Sequence, residues 1–429
     1  MFTCCTKIHS YAGMTTILLR IEELFIKENM KCIKICFTLI LFVQISFAQE
    51  KKLAATPPMG WMSWNIMSEN PNEKDIKEMA DAMVNSGMVK AGYQYIFLDD
   101  CWQGGRDNKN NIIADPKKFP SGIKALADYL HSIGMKLGIY SDAAPLTCGG
   151  YTASLNFEDQ DAKTFASWGI DYLKYDYCNS PEDVETAKKR YGTIAQALRK
   201  SGRDIVLGIC EWGPREPWNW GAQAGGQSWR TTYDIRDKWL DVEGQGGVGI
   251  YNVVDKMAGL ASFSGPGKWN DGDMLVAGLH GTKGPSAAFK GVGCSQAEYQ
   301  SQMSLYSMLN SPLYASCDIR KMDNEAKTIF TNEEIIALNQ DILGKQAERK
   351  IKTDICDVFV RPLANGDFAI AILNKSASAQ NAKINFTDLG LSGHYQIRDL
   401  WQHKIIGKNK MWSGEVKTHE TKVFRLKKV

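Results

Sequence analysis

Between Met59 and about Leu343 the chain alternates short apolar runs with longer amphipathic segments, and few folds accept that rhythm. Tyr95–Leu98 runs into Asp99-Asp100, Lys136–Tyr140 into Ser141-Asp142, Tyr172–Tyr175 into Asp176, and Ile205–Cys210 into Glu211. Helical patterns cover Glu73–Ser86, Gly122–Ile133, Asp159–Trp168, Pro181–Ser201 and Val253–Phe263. Adding Gly60–Trp61, Ser228–Thr232, the stretch before Trp269 and Leu313–Ser316 gives eight predicted strands. Strand and helix repeated eight times predict an α/β fold, a (β/α)8 TIM barrel over residues 49–345. A doubly wound open sheet is the competing arrangement, but no GxGxxG follows the first strand. Beyond Lys345 the runs become short and alternating, with Asn365-Gly366 as a hairpin turn signal, which predicts a C-terminal antiparallel β-sandwich domain over 346–429.

Residues 1–48 are set apart from this pattern. Met30, Lys31 and Lys34 precede an apolar run from Ile35 to Phe47 and a small-residue site at Ala48, the layout of a secretory signal peptide starting at Met30. The expected location is therefore the periplasm or the cell exterior, with no stable membrane span after cleavage. Past the leader 46 basic residues face 45 acidic ones, so neither nucleic acid nor an anionic membrane surface is an expected partner. Seven cysteines remain there, none in a CxxC pair, and five scattered histidines, so no metal site and no cofactor are expected. Oligomeric state is not legible.

The chemistry is concentrated at the strand ends. In Leu173-Lys174-Tyr175-Asp176-Tyr177-Cys178 an apolar strand delivers a carboxylate at its C-terminal end, where barrels assemble their sites. One such Asp can be a helix cap. Asp99, Asp100, Asp142, Asp176, Glu211, Asp234, Asp271 and Asp273 together would repel one another unless cations or a polyhydroxy ligand satisfy them. Lys174 and Arg230 are the available counter-charges, and tryptophans can cover a sugar face. Glycoside hydrolysis needs two carboxylates flanking the anomeric carbon. Asp176 is expected to be one, kept ionised by Lys174. Asp234 is the choice for the second, protonated by burial or neighbouring charge, only slightly ahead of Glu211 and Asp273.

Several motifs then resemble the α-galactosidases of glycoside hydrolase family 27. They are Thr56-Pro57-Pro58-Met59-Gly60-Trp61-Met62-Ser63-Trp64-Asn65, Phe97-Leu98-Asp99-Asp100-Cys101-Trp102, Leu137-Gly138-Ile139-Tyr140-Ser141-Asp142, Asp171 to Asp176, Trp269-Asn270-Asp271-Gly272-Asp273-Met274 and Ile336 to Asp341. The resemblance covers the whole barrel and implies retaining, exo-acting hydrolysis of terminal α-D-galactosyl residues by double displacement. It implies Asp176 as nucleophile and Asp234 as acid/base. Asp99 and Asp100 would hold O4 and O6, Lys174 and Arg230 the other hydroxyls. Trp64, Tyr140 and Asp273 would wall the pocket. Retention implies the two carboxyls roughly 5–5.5 Å apart.

Glu211 and Trp212, in the Cys210-Glu211-Trp212 triplet, complete the expected substrate-binding set, with Glu211 expected to exclude a 2-acetamido group and bind a free 2-hydroxyl. Asp99, in place of the Glu of β-L-arabinopyranosidases, leaves room for C6. The resemblance also implies a Cys148–Cys178 disulfide and leaves Cys101 and Cys210 as thiols. Gly272 replaces a usual Pro and is expected to loosen its loop, and the stretch from Ala144 to Phe157 departs from common members. The expected partner is an α-galactoside. The competing readings are a related exo-glycosidase, α-N-acetylgalactosaminidase or β-L-arabinopyranosidase, and a non-catalytic sugar-binding barrel.

Overall fold

A computed structural model describes residues 52–241, 247–281 and 291–429. The leader expected over 1–48 lies outside them. Eight strands run parallel: β1 (Met59–Met62), β2 (Tyr95–Leu98), β3 (Lys136–Asp142), β4 (Tyr172–Asp176), β5 (Val206–Cys210), β6 (Ser228–Arg230), β7 (Trp269–Asp271) and β8 (Leu313–Ala315). Their order in the sheet is β8-β1-β2-β3-β4-β5-β6-β7. The ring closes just past β7, where Leu275 N–H donates to the Tyr314 carbonyl at 2.7 Å. The seventh strand starts at Trp269 and does not precede it, which corrects the placement drawn from sequence. The preceding Gly265 to Lys268 forms a tight turn instead.

Side chains at positions two apart on a strand share a face. On β4 the inward row is Tyr172, Lys174 and Asp176. Tyr172 meets Phe97 edge-on at 4.9 Å, and Phe97 meets Tyr314 at 4.7 Å, so aromatic rings fill the barrel below the charged groups. Glycine makes that layer possible: a Cβ at Gly138 would strike Phe97, and one at Gly208 would strike Tyr172. The ring layer plugs the barrel, and the next residues up each strand meet at its C-terminal mouth.

Amphipathic helices cover the outside, among them Glu73–Ser86, capped by Asn72, and Val184–Lys200, capped by Asp183. Helix Gln296–Met308 is different. It lies between barrel and C-terminal domain, with Tyr299 and every residue from Ser301 to Met308 buried. Two of its serines bond across to the C-terminal domain: Ser301 Oγ donates to the His419 carbonyl at 2.6 Å, and Trp401 Nε1 donates to Ser304 Oγ at 2.9 Å.

The C-terminal domain carries β9 (Glu348–Lys352), β10 (Cys356–Pro362), β11 (Phe368–Asn374), β12 (Gln380–Asn385), β13 (Tyr395–Asp399), β14 (Lys404–Asn409), β15 (Met411–Val416) and β16 (Thr421–Lys428). Six form an antiparallel sheet ordered β9-β10-β11-β16-β13-β14, and β12 pairs with β15. Alternation divides the sheet's faces. Val358, Val360, Ile370 and Ile372 enter the sandwich core with Trp412 and Phe424, while Phe359, Ala369, Ala371 and Val423 join the core of the barrel. The expected turn stands at Asn365-Gly366, where Gly366 has φ +86. Among the described residues, no helix is long and apolar enough to cross a membrane.

Candidate active site

At the barrel mouth one cleft is lined by Trp64, Asp99, Asp100, Tyr140, Lys174, Asp176, Arg230 and Asp234. These eight are all residues singled out by sequence. Asn65, Cys148, Ile235 and Met274 complete the lining. The strands place them through register, since Tyr140 pairs with Lys174 and Asp142 with Asp176. After three strands the chain turns sharply on a non-glycine left-handed residue, Cys101 at φ +71, Trp212 at +66 and Asp273 at +72. Such backbone costs energy and collects at functional sites.

Asp176 is only 5% exposed. Its Oδ1 accepts the Tyr177 N–H at 2.9 Å and its Oδ2 the Tyr140 hydroxyl at 2.9 Å. Burial raises its pKa to about 6; Lys174 pulls it down and Asp234 pushes it up. The ammonium of Lys174 makes its ion pair elsewhere, with Asp99 Oδ2 at 2.8 Å. Lys174 therefore does not keep Asp176 at an ordinary carboxylate value, because desolvation outweighs a cation bonded to another partner. Asp99 Oδ1 also accepts the Asp100 N–H at 2.8 Å. Asp100 in turn accepts from Cys101 N–H at 2.6 Å and Gly149 N–H at 2.8 Å, and burial still raises its pKa.

The opposite wall is built on Arg230. Its Nη2 lies 3.0 Å from both Asp234 Oδ1 and Asp273 Oδ2 and donates to the Thr232 carbonyl at 3.1 Å. Burial works to lower the Arg230 pKa, but Asp273 and its neighbours hold it well above the ordinary value. The side chain of Asp234 is 55% exposed. Asp273 does not line the cleft; it stands behind Arg230 and accepts the Ile235 N–H at 2.8 Å. Gly272 is tightly held, its N–H donating to Ser311 Oγ at 3.0 Å and its carbonyl accepting the Tyr306 hydroxyl at 2.5 Å. A Cβ there would come within 2.9 Å of Met257 and Tyr306. The loop expected to be loosened by this glycine is packed, and a proline could not make the Ser311 bond.

Glu211 and Trp212 also lie off the cleft lining. The Glu211 carboxylate turns back into its own loop and accepts N–H groups of Gly213 at 2.9 Å and Arg215 at 3.1 Å, with Arg215 Nη1 at 3.2 Å. Burial raises its pKa to about 7, against the pull of Arg215. The carboxylate is thereby held in a fixed position by its own loop.

Cys148 and Cys178 form a disulfide with Cα atoms 5.2 Å apart, and Cys148 Sγ lies 3.5 Å from Asp176 Oδ2. Cys101 and Cys210 are free and buried. The sequence reading passed over Asp142 as a site residue. It is fully buried beside Asp176, accepts the Cys178 N–H at 3.0 Å, and has its pKa raised to about 9 by burial and then by the Asp176 charge. Asp142 and Asp176 lie with the two cysteine sulfurs inside 4.8 Å, and the disulfide takes both sulfurs out of metal binding.

Residues 56–341 match the family described as alpha galactosidase A, and residues 353–426 match the alpha galactosidase C-terminal beta sandwich domain. The chain is 43% identical over 386 residues to "Alpha-galactosidase A" of Cellvibrio japonicus, covering 88% of this chain and 90% of that one. It is 40% identical over 383 residues to an alpha-galactosidase of Oryza sativa subsp. japonica, covering 88% and 86%. Among solved structures it is similar to alpha-galactosidase I from Mortierella vinacea, with TM-score 0.83, 34% identity and coverage of 88% and 98%. The Saccharomyces cerevisiae enzyme solved with raffinose gives TM-score 0.80 at 27% identity, covering 87% and 98%. With the barrel, its acidic mouth and the trailing sandwich, these matches establish that the chain belongs to the α-galactosidase family, glycoside hydrolase family 27.

Proposed function

We propose that this glycoside hydrolase is a retaining exo-α-galactosidase that removes terminal α-D-galactosyl residues from oligosaccharides or glycoconjugates. One observation carries the reading: a desolvated Asp176 braced by Tyr140 faces a solvent-accessible Asp234 across a cleft closed at its floor. The galactosyl ring enters with O4 and O6 toward Asp99 and Asp100, and Lys174 and Arg230 bond its other hydroxyls. Asp176 attacks the anomeric carbon while Asp234 protonates the departing glycosidic oxygen, leaving a covalent galactosyl-enzyme. Asp234, now a base, deprotonates a water that attacks the same carbon and frees Asp176, so two inversions give net retention. A carboxyl separation of roughly 5–5.5 Å in a substrate complex accompanies this chemistry. The leader pattern together with a disulfide supports export to the periplasm or beyond.

Steady-state assays on the p-nitrophenyl α-galactoside, α-N-acetylgalactosaminide and β-L-arabinopyranoside test the reading. The α-galactoside is expected to dominate. A dominant rate on either other glycoside overturns it. The acetamido sugar belongs in the panel because Glu211, expected to exclude a 2-acetamido group, bonds Arg215 at 3.2 Å.

A further inference from the structure

We infer that the seam between the barrel and the C-terminal domain binds a small monovalent anion of halide size, held by the Nε–Nη2 edge of the Arg361 guanidinium and the side-chain amide of Asn310. Arg361 stands on β10, where residues two apart share a face. Asp357, Phe359 and Arg361 therefore lie on one side of the sheet, the side on which Phe359 joins the core of the barrel. Asn310 comes from the barrel, in the short turn between helix Gln296–Met308 and β8. Both side chains are fully buried. A guanidinium keeps its charge, so one sealed inside an interface requires an answering negative charge.

The protein groups around Arg361 do not supply it. Nη1 donates to the Ser307 carbonyl at 2.9 Å, the Met308 carbonyl at 3.4 Å and Asn310 Oδ1 at 2.5 Å, all neutral acceptors. Nε and Nη2, the two-donor edge that suits an anion, have no partner among the described residues. Asn310 Nδ2 and Ser307 Oγ have none either. Three of these four atoms can only donate, and the serine hydroxyl can do so as well. A water could accept from two of them, but its own protons would face donors and the charge would stay uncancelled. Nearby carboxylates are committed elsewhere. Asp357 pairs with Lys375 at 2.9 Å and with Arg349 at 3.1 Å. Asp341, whose charge reaches Arg361, accepts the N–H groups of Leu343 and Ala364, each at 3.1 Å. Burial brings the Arg361 pKa down to about 10, which leaves it a cation at neutral pH. Arg230 shows the contrast: equally buried, it meets two carboxylates at 3.0 Å. Enclosure selects a compact ion with one charge over a phosphate, whose further charge would also have to be buried. One residue past Asn310, Ser311 Oγ accepts the Gly272 N–H, so the anion steadies the turn that supports the loop behind Arg230.

The test measures Tm of the full chain in sodium chloride and in sodium gluconate at equal ionic strength, gluconate being too large for a sealed site. Replacing about 300 mM gluconate by chloride is expected to raise the wild-type Tm by about 2–4 °C. Asn310→Asp keeps the oxygen that accepts from Nη1 and sets a carboxylate beside the cation, so its gain should vanish. Arg361→Met removes the cation and should lose the gain too; the nearly isosteric Asn310→Asp carries the comparison if Arg361→Met fails to fold. Crystals of the wild type grown in sodium bromide are expected to show an anomalous bromine peak within hydrogen-bonding reach of Nε and Nη2. An equal gain in wild type and Asn310→Asp overturns the site, and so does density at Arg361 without a bromine signal.

Discussion

Asp176 and Asp234 face the same cleft from contrasting walls. Around Asp176, strands β3 and β4 supply Tyr140, buried Asp142 and a disulfide, and the carboxylate is almost dry. Asp234 pairs with Arg230 beside the surface residue Tyr233, with more than half of its own side chain exposed. The difference follows from what each group must do. A nucleophile gains from desolvation and fixed geometry, because its lone pair must meet one carbon atom. An acid/base must exchange a proton with solvent and admit water for the second step. From sequence, Asp234 was expected to be perturbed by neighbouring charge or burial; the structure leaves it more than half exposed and buries Asp176.

The comparison is broken most forcefully by Asp176→Ala. Turnover is expected to fall by about 10³-fold or more on every galactoside, because no covalent intermediate can form. Asp234→Ala should depend on the leaving group, with a far larger loss on melibiose than on p-nitrophenyl galactoside, whose phenolate leaves without a proton. Equal losses on both substrates would remove the distinction between the walls.

Replacing Cys148 and Cys178 by Ala opens a 30-residue loop in the dry wall and is expected to cost about 3–4 kcal/mol of stability. It is read as a lower Tm, with kcat falling as Asp176 loses a packing neighbour. A smaller effect is the acid limb of kcat/KM. Attack requires the carboxylate, so activity falls as pH drops through the Asp176 pKa, about 6. Lys174→Met removes the cation that lowers this value, so the limb should move to higher pH in the residual activity.

The smallest effect concerns stability and pH. Burial and the Asp176 charge raise the Asp142 pKa to about 9, far above an ordinary carboxylate, so the folded state holds a proton that the unfolded chain releases. Its favourable contribution is fully present below about pH 4 and is lost as pH rises toward 9. Asp142→Asn keeps an acceptor for the Cys178 N–H and removes the titration. The variant should gain Tm over the wild type at pH 8 and little at pH 4. A gain independent of pH would contradict the buried-acid account.

The fold was legible where strands are apolar runs ending in carboxylates, because the barrel imposes the same demand at each strand: bury the middle and expose the end to the mouth. Helix Gln296–Met308 was not, since burial between two domains erases the polar face that marks a helix. Strands β9 and β14 were not legible because they are edge strands whose exposed lysines leave little apolar signal. At the site, eight expected residues line one cleft. The Glu211–Arg215 ion pair was not anticipated, although Arg215 stands four residues on in the sequence. Asp142 looked like any strand-end cap, and only its position against Asp176 distinguishes it.

The central claim is that Asp176 is the covalent nucleophile. Incubation with a fluorinated α-galactosyl donor that forms the intermediate faster than it is hydrolysed, followed by peptide mass spectrometry, tests it directly. The account predicts a galactosyl increment on the peptide containing Leu173 to Cys178, localised to Asp176. An increment on another carboxylate, or a product of inverted anomeric configuration with no adduct, would contradict it.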